Sequence, residues 1–186
     1  MTSLESSTLH DEGLVEALRR GEPAAGERLK RRYEAALQRF AYGYLGERAA
    51  VEDAVQEVFV RVLRAEDVPN ELRPWLYRVT RNLCLNRLDS AEHHARQRSV
   101  EVDDHHWVRQ TGNLTQLVRE EQRQQLAALV GTLPGDQQEV LRLRYAEDLS
   151  RAEIAAVLGL PVSVIKSRLY EGLKRLRACA ASLEDV

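Results

Sequence analysis

A row of hydroxyl, ammonium and phenol side chains near the C-terminus has the spacing and the chemistry to recognise DNA. If the chain is helical from Pro161 to about Arg177, residues spaced three and four apart share one face. The polar face then contains Ser163, Lys166, Ser167, Tyr170 and Lys174, opposite an apolar row of Ile165, Leu169, Leu173 and Leu176. Polar side chains near the N-terminus of a helix reach base edges in the major groove, while cations hold phosphates. We interpret Lys166 and Ser167 as base readers, Tyr170 as a thymine or backbone contact, and Arg168, Lys174 and Arg175 as phosphate contacts.

The segment just before this row has the signals of a short capped helix and a tight turn. Ser150 and Glu153 have the spacing of a capping box, and Gly159 suits the backbone conformation that ends a helix. A short helix, a glycine turn and a second helix with a basic outer face together predict a helix-turn-helix. The alternative at this point is a plain helical hairpin whose polar face is merely solvated.

The remainder of the chain is also patterned at helical spacing, and no stretch alternates as a strand does. A break near Gly21-Glu22-Pro23 separates the first helices, and Pro74 suits the first turn of a later one. The period is lost after Ala95, where polar and turn-forming residues follow. We predict an all-α protein of two small helical domains, residues 1–95 and 116–186, joined by a flexible linker over residues 96–115.

Composition excludes several classes of protein. The 186 residues include 27 basic and 29 acidic ones, with 44% hydrophobic residues, as in a globular protein. No apolar run is long enough to insert in a membrane, and the N-terminus has no secretory pattern, so we expect a cytoplasmic location. Cys84 and Cys179 are too few for a disulfide scaffold, which also fits a reducing compartment.

Charge alternates along the chain in four segments. Residues 47–71 carry seven acidic and three basic residues, and residues 73–98 carry six basic and two acidic ones. Residues 99–121 are acidic again, and residues 162–177 carry five basic residues and one acidic residue. Two separate contacts with a polyanion and ordinary solvated helix faces are equally compatible with this alternation.

Two further motifs resemble a known family. The residues 53–62, DAVQEVFVRV, followed by residues 73–82, RPWLYRVTRN, resemble conserved region two of the extracytoplasmic-function sigma factors. Residues 133–177, with AEIA at 152–155 and the segment from Pro161 to Leu169, resemble region four of the same family. The resemblance implies a transcription initiation factor that binds core RNA polymerase and directs it to promoter DNA. We expect neither catalytic activity nor a cofactor.

The resemblance implies a polymerase-binding surface on the first of these motifs. Its residues would dock on the clamp helices of the largest polymerase subunit: Asp53, Gln56, Glu57 and Phe59. A net negative surface that meets basic protein and avoids DNA is consistent with the acidic count of residues 47–71. For Phe59, core packing explains the periodicity equally well.

The second motif corresponds to the family's contacts with the downstream (minus-ten) promoter element. The implied residues are Arg78, Arg81, Asn82 and Asn86, with Arg73, Arg81 and Arg87 as phosphate contacts. An asparagine amide offers a donor and an acceptor to an unpaired base edge. Trp75 and Tyr77 are aromatic residues that could stack on bases, although Trp75 lies on the apolar stripe, which favours the core.

Region four implies that the C-terminal helix reads the upstream (minus-thirty-five) element, and that the linker runs through the polymerase. Three departures from the family's usual sequence affect promoter choice: Pro161-Val162-Ser163-Val164, Glu171 and the loop Glu66–Leu72. Relatives are commonly held by an anti-sigma factor, and the sequence does not show whether one binds here.

Two other functions remain to be compared with this one. A polymerase-independent helix-turn-helix regulator would leave the Asp53–Asn82 region unexplained, and a metal- or redox-sensing interaction module would leave the C-terminal helix unexplained. The pairs His93-His94 and His105-His106 lack the spacing of metal ligands, so we predict no metal site. A glycine-rich phosphate loop and a nucleophile motif are both missing from the sequence, which argues against an enzyme.

Overall fold

The computed structural model describes the backbone of residues 3–98 and 129–184 and the side chains of residues 11–90 and 129–178. Throughout these ranges the regular structure is helical, as predicted. The chain divides into two compact units, Met1–His105 (unit 1) and His106–Val186 (unit 2). No helix within the described ranges is long and apolar enough to cross a bilayer.

Unit 1 contains four helices. They are α1 (Ser3–Arg19), α2 (Pro23–Leu45), α3 (Arg48–Leu63) and α4 (Leu72–Arg98). The predicted break falls between α1 and α2, where Pro23 occupies the first turn of α2. Pro74 likewise lies in the first turn of α4, as its sequence position predicts. Helix α4 continues three residues beyond residue 95, into the segment predicted to be linker. The rest of that segment lies outside the described residues, so the domain boundaries stay a prediction.

The core of unit 1 forms where α2 packs on both α3 and α4. Its apolar side chains recur every three or four residues, and Leu29, Leu37 and Phe40 of α2 are fully buried. Phe40 meets Tyr77 of α4 edge to face, with 5.0 Å between ring centroids. This arrangement gains aromatic contact energy beyond the area it buries. The core therefore fixes the mutual orientation of the three helices.

A buried polar cluster attaches α1 to α2. Asp11 is only 6% exposed, and its Oδ2 accepts a hydrogen bond of 2.6 Å from the Tyr33 hydroxyl. Its Oδ1 lies 2.9 Å from Arg32 Nε, as an ion pair rather than an aligned hydrogen bond. Burial, followed by the bond to Asp11, raises the pKa of the Tyr33 phenol well above its ordinary value. The phenol therefore stays protonated and remains a donor.

Beyond a helical end at residues 129–131, the described part of unit 2 contains three helices and an irregular turn. The helices are α5 (Gly135–Leu141), α6 (Arg151–Leu158) and α7 (Val162–Glu184), and a π-helical turn covers Arg142–Ala146. Helix α7 packs on both α5 and α6. It extends to Glu184, beyond the predicted end near Arg177, because residues 178–184 are mainly helix formers without glycine or proline.

The close contact of α7 with α5 depends on Gly172. A Cβ at this position would come within 3.0 Å of Leu141 Cδ1 and 3.5 Å of Gln137 Cβ. The hydrogen at this position lets the two helix backbones approach more closely than larger residues allow. The apolar residues Val140, Leu143, Ile154 and Ile165 fill the space around this contact and are fully buried.

Replacing Asp11 with alanine is expected to destabilise unit 1 by about 2 kcal/mol, since the Tyr33 hydroxyl and the Arg32 guanidinium lose their buried acceptor. Urea unfolding of the full chain, followed by circular dichroism, measures the change. The adjacent exposed Glu12→Ala variant is the control and should change stability by less than about 0.5 kcal/mol. Equal effects of the two substitutions would show that the cluster does not hold α1 in place.

Candidate nucleic-acid interface

Both ends of α6, including the turn into α7, have the predicted local structure. Ser150 Oγ accepts a 3.2 Å hydrogen bond from the backbone N–H of Glu153, and Glu153 Oε2 accepts one of 2.8 Å from the N–H of Ser150. The capping box is therefore complete. Gly159 ends α6 with φ 66° and ψ 32°, in the left-handed region where a side chain would be strained. The capping box therefore fixes the start of α6, and Gly159 fixes its end and the turn into α7.

Helix α7 separates its two faces as the sequence predicts. Ile165 and Leu169 are 0% and 6% exposed and pack in the core of unit 2. Tyr170, on the other side, is 65% exposed. The remaining candidates on this outer face are also exposed: Ser163, Lys166, Ser167 and Lys174. A continuous polar surface about three helical turns long is thus available to a ligand.

Arg168 differs from the other candidates on α7. Its Nε lies 3.1 Å from Asp136 Oδ2, in the first turn of α5, and its side chain is 29% exposed. The ion pair joins α7 to α5 and so contributes to the position of the polar face of α7. Local sequence patterns could not reveal Asp136, because 32 positions separate it from Arg168.

In unit 1, α4 exposes three of the four residues predicted to contact the downstream element. Arg78, Asn82 and Asn86 are exposed and spaced four apart, so they follow one face of the helix. Arg81 is half-buried. The opposite side of α4 carries Leu83 and Cys84, which are 4% and 0% exposed. The helix therefore presents amide and guanidinium groups outward from an apolar support.

Helix α3 exposes Asp53 and Gln56 to solvent. Glu57, one position further, is half-buried and forms two ion pairs. Its Oε1 lies 2.6 Å from Arg61 Nη2, and its Oε2 lies 3.3 Å from Arg87 Nη2 on α4. The hydrogen bond from Arg61, with that from Arg87 contributing, lowers the pKa of the Glu57 carboxyl despite some burial. Glu57 therefore links the acidic helix to the helix that carries Asn82 and Asn86.

The structure favours a packing role for three residues. Phe59 is 7% exposed, so its ring packs in the core, which is one of the two alternatives that the periodicity left open, and its contact with the polymerase stays a prediction. Tyr77 is 2% exposed against Phe40, which excludes base stacking on its ring. Arg87 donates to the Ala50 carbonyl at 2.8 Å and pairs with Glu57, so it connects α4 to α3 instead of projecting towards phosphates. Trp75 is half-buried.

The described part of the chain contains no group of three or more His, Cys, Asp or Glu side chains arranged for a metal ion. Cys84 is buried. The side chains of His93, His94 and Cys179, and the whole of His105 and His106, lie outside the described residues. The predictions made for them therefore stay predictions.

Comparison with protein-family models divides the chain as its two units do. The model for sigma-70 region 2 matches residues 29–94, which include α3 and most of α4. The model for sigma-70 region 4 matches residues 123–176, which include the helix-turn-helix. The candidate surfaces on α3, α4 and α7 all fall inside these matches.

Curated relatives cover most of the chain. The ECF RNA polymerase sigma-E factor of Escherichia coli (strain K12) is 29% identical over 175 residues, which are 89% of this chain and 91% of the relative. The ECF RNA polymerase sigma factor SigE of Mycolicibacterium smegmatis (strain ATCC 700084 / mc(2)155) is 29% identical over 154 residues, 81% of this chain and 60% of that protein.

Two solved structures are similar in fold. CnrH, solved in complex with the cytosolic domain of CnrY, has a TM-score of 0.66 and 25% identity, over 92% of this chain and 97% of CnrH. The sigma factor RpoE from Bartonella quintana, solved with the anti-sigma factor NepR, has a TM-score of 0.64 and 21% identity, over 83% of this chain and 96% of RpoE.

The two helical units and the region 2 and region 4 matches define a sigma factor of RNA polymerase. More particularly, the chain belongs to the extracytoplasmic-function (ECF) sigma factors. It is therefore a transcription initiation factor, whose partners are core RNA polymerase and promoter DNA.

Replacing Arg87 with alanine is expected to destabilise the α3–α4 pair by about 1 kcal/mol, because partly exposed ion pairs contribute modestly. Because the pKa of Glu57 is lowered in the folded chain, the stabilisation that its ion pair contributes is fully present above the ordinary glutamate value of about 4.3. This stabilisation is lost as the pH falls through the lowered pKa. Hydrogen exchange of buried amides in α3 and α4, at neutral and acidic pH, measures both effects.

The exposed Arg64→Ala variant is the control for this experiment and should exchange as the unaltered chain does. If Arg87→Ala loses the same amount of protection against exchange at both pH values, the stabilisation comes from the hydrogen bond to the Ala50 carbonyl alone.

Proposed function

We propose that α7 binds the major groove of the upstream promoter element and that α4 reads unpaired bases of the downstream element. The observation that carries this proposal is the separation of faces on α7, which buries Ile165 and exposes Lys166 and Ser167 on the same turn. A helix of this kind fits the major groove, and its N-terminal residues reach base edges.

The chemistry of each exposed group suggests its role. Lys166 donates to guanine acceptors, Ser167 donates to or accepts from either kind of base, and the Tyr170 ring packs on a thymine methyl group or the backbone. Ser163 and Lys174 lie at the two ends of this row and suit phosphates. Arg168 acts through its ion pair with Asp136 as a positioning residue, and it supplies a phosphate contact only at the exposed edge of its side chain.

On α4, Asn82 and Asn86 recognise base edges of the non-template strand, and Arg78 and Arg81 neutralise phosphates beside them. An amide that is exposed on a rigid helix keeps both its donor and its acceptor for an unpaired base. The buried Leu83 and Cys84 behind these residues support that rigidity.

On α3, we propose that Asp53 and Gln56 meet the clamp helices of the largest polymerase subunit, with Glu57 at the edge of the contact. Asp53 has no ion-pair partner among the described residues, so its charge is available to a basic protein surface. Phe59 supports this surface from the core below it.

Regulation by a protein inhibitor is consistent with the solved neighbours. CnrH was solved with the cytosolic domain of CnrY, and its fold covers 92% of this chain. By analogy, an anti-sigma factor that covers α3 or α4 would keep this chain from the polymerase. We further propose that the protein acts in the cytoplasm and by binding alone, without catalysing a reaction.

Reconstitution with core RNA polymerase tests the proposal as a whole. The full chain should co-elute with core polymerase, and the complex should start transcripts at defined promoters. The Asn82→Ala holoenzyme should form normally yet open promoters more slowly. Binding to specific duplex DNA without affinity for polymerase would favour an independent regulator instead. Reduced polymerase affinity of Asn82→Ala would show that this residue belongs to the docking surface.

Replacing Lys166 with alanine should weaken binding to the upstream element by about 1–3 kcal/mol and relax the preference at one base pair, as for a base-reading contact. Competition between holoenzyme-bound promoters that differ at single upstream positions measures both quantities. Arg177→Ala, an equal loss of charge later in α7, is the control and should affect all sequences alike. An equal loss on every sequence for Lys166→Ala would identify a phosphate contact.

A further inference from the structure

Helix α2 carries a cationic row that none of the proposed roles uses. Residues 28–39 include five basic residues and one acidic residue. All four arginines of this stretch are exposed, and the spacing of Arg28, Arg31, Ala35 and Arg39 follows one face of the helix. We call these four positions the α2 row. The core residues Leu29 and Leu37 lie on the opposite face.

Most other cations near the row already have acidic partners. Lys30 Nζ lies 3.8 Å from Glu34 Oε1, and the Arg32 guanidinium pairs with Asp11. Arg28 and Arg31, in contrast, form no hydrogen bond or ion pair with the described residues. Two unneutralised arginines one turn apart are unfavourable to each other, and an anion that bridges them removes the repulsion.

The spacing of the row fits a repeating anion. From Arg28 to Arg39 the helix rises about 17 Å, so its successive members lie about 5–6 Å apart along the axis. A nucleic-acid strand likewise presents anions at regular intervals, with about 3.4 Å of duplex axis per phosphate. Arginine also forms bidentate hydrogen bonds with phosphate, which makes it well suited to this role.

The composition of the row argues against a protein partner. Protein interfaces place apolar and aromatic side chains at their centre, and although arginine is enriched there, it accompanies such apolar side chains. The centre of the α2 row instead contains Ala35 between cations, and no large apolar side chain of α2 is among the exposed hydrophobic residues of the described chain. The exposed apolar residues of unit 1, Val60 and Leu63, belong to α3.

We propose that the α2 row is an additional nucleic-acid contact, which binds DNA phosphates without reading sequence. It supplies unit 1 with electrostatic affinity beyond the base-reading residues of α4. The inference concerns α2 alone. It rests on the proposed function only because the test uses the same holoenzyme and promoters.

The test is the salt dependence of promoter binding by the holoenzyme. The slope of log K against log salt is negative, and the Arg28→Gln/Arg31→Gln double variant should reduce its magnitude by about 1.8 on duplex DNA, or by about 1.4 if the row meets single strands. The loss of affinity should be the same on promoters of different sequence. The control is Lys30→Gln/Arg48→Gln, which removes the same charge from side chains already paired with Glu34 and Glu52 and should leave the slope unchanged.

A second variant adds a charge and does not depend on removing a side chain. Ala35 is exposed in the middle of the row, so Ala35→Arg should increase the magnitude of the negative slope by about 0.9. An unchanged slope in both row variants, with promoter-specific initiation intact, would overturn this inference and leave the proposed function standing. A sequence-dependent loss, an equal loss in the control or a loss of polymerase affinity would also overturn it.

Discussion

Burial of Ile165 and Leu169 fixes the rotation of α7 about its axis, and the exposure of its polar face depends on this rotation. Successive residues of a helix are turned by about 100°, so a shift of one position would bury Lys166 and expose the apolar row. Two further contacts prevent such a shift. Gly172 lets α7 approach α5 closely, and Arg168 pairs with Asp136 of α5. The polar face is thus determined by packing on its opposite side.

Unit 1 separates opposite charges on adjacent helices. The outer part of α3 is acidic, and its carboxylates are partly neutralised by Arg48, Arg61 and Arg87. The outer part of α2 is basic, and two of its arginines are unpaired among the described residues. A sigma factor must meet both a protein and a polyanion at the same time, and opposite fields on separate helices reduce binding in the wrong orientation.

Much of this organisation could be predicted from sequence because it depends on local rules. The capping box at Ser150, the turn at Gly159 and the break before Pro23 each need only a few neighbouring residues, and each is confirmed. Long-range partners could not be predicted in the same way. The pairs Glu57–Arg87 and Asp136–Arg168 join residues 30 and 32 positions apart, and no periodicity signals them. Phe59 shows a related limit. Periodicity predicts the helix face on which a residue lies, but it does not distinguish a face that packs in the core from one that binds a partner.

Helix α6 is only eight residues long, well below the length at which an isolated helix is stable in water. It is therefore stabilised by α7 and the π-helical turn, which pack against it. As a result, the exposed face of α7 and the short helix beside it are expected to be lost together when unit 2 unfolds, instead of one after the other.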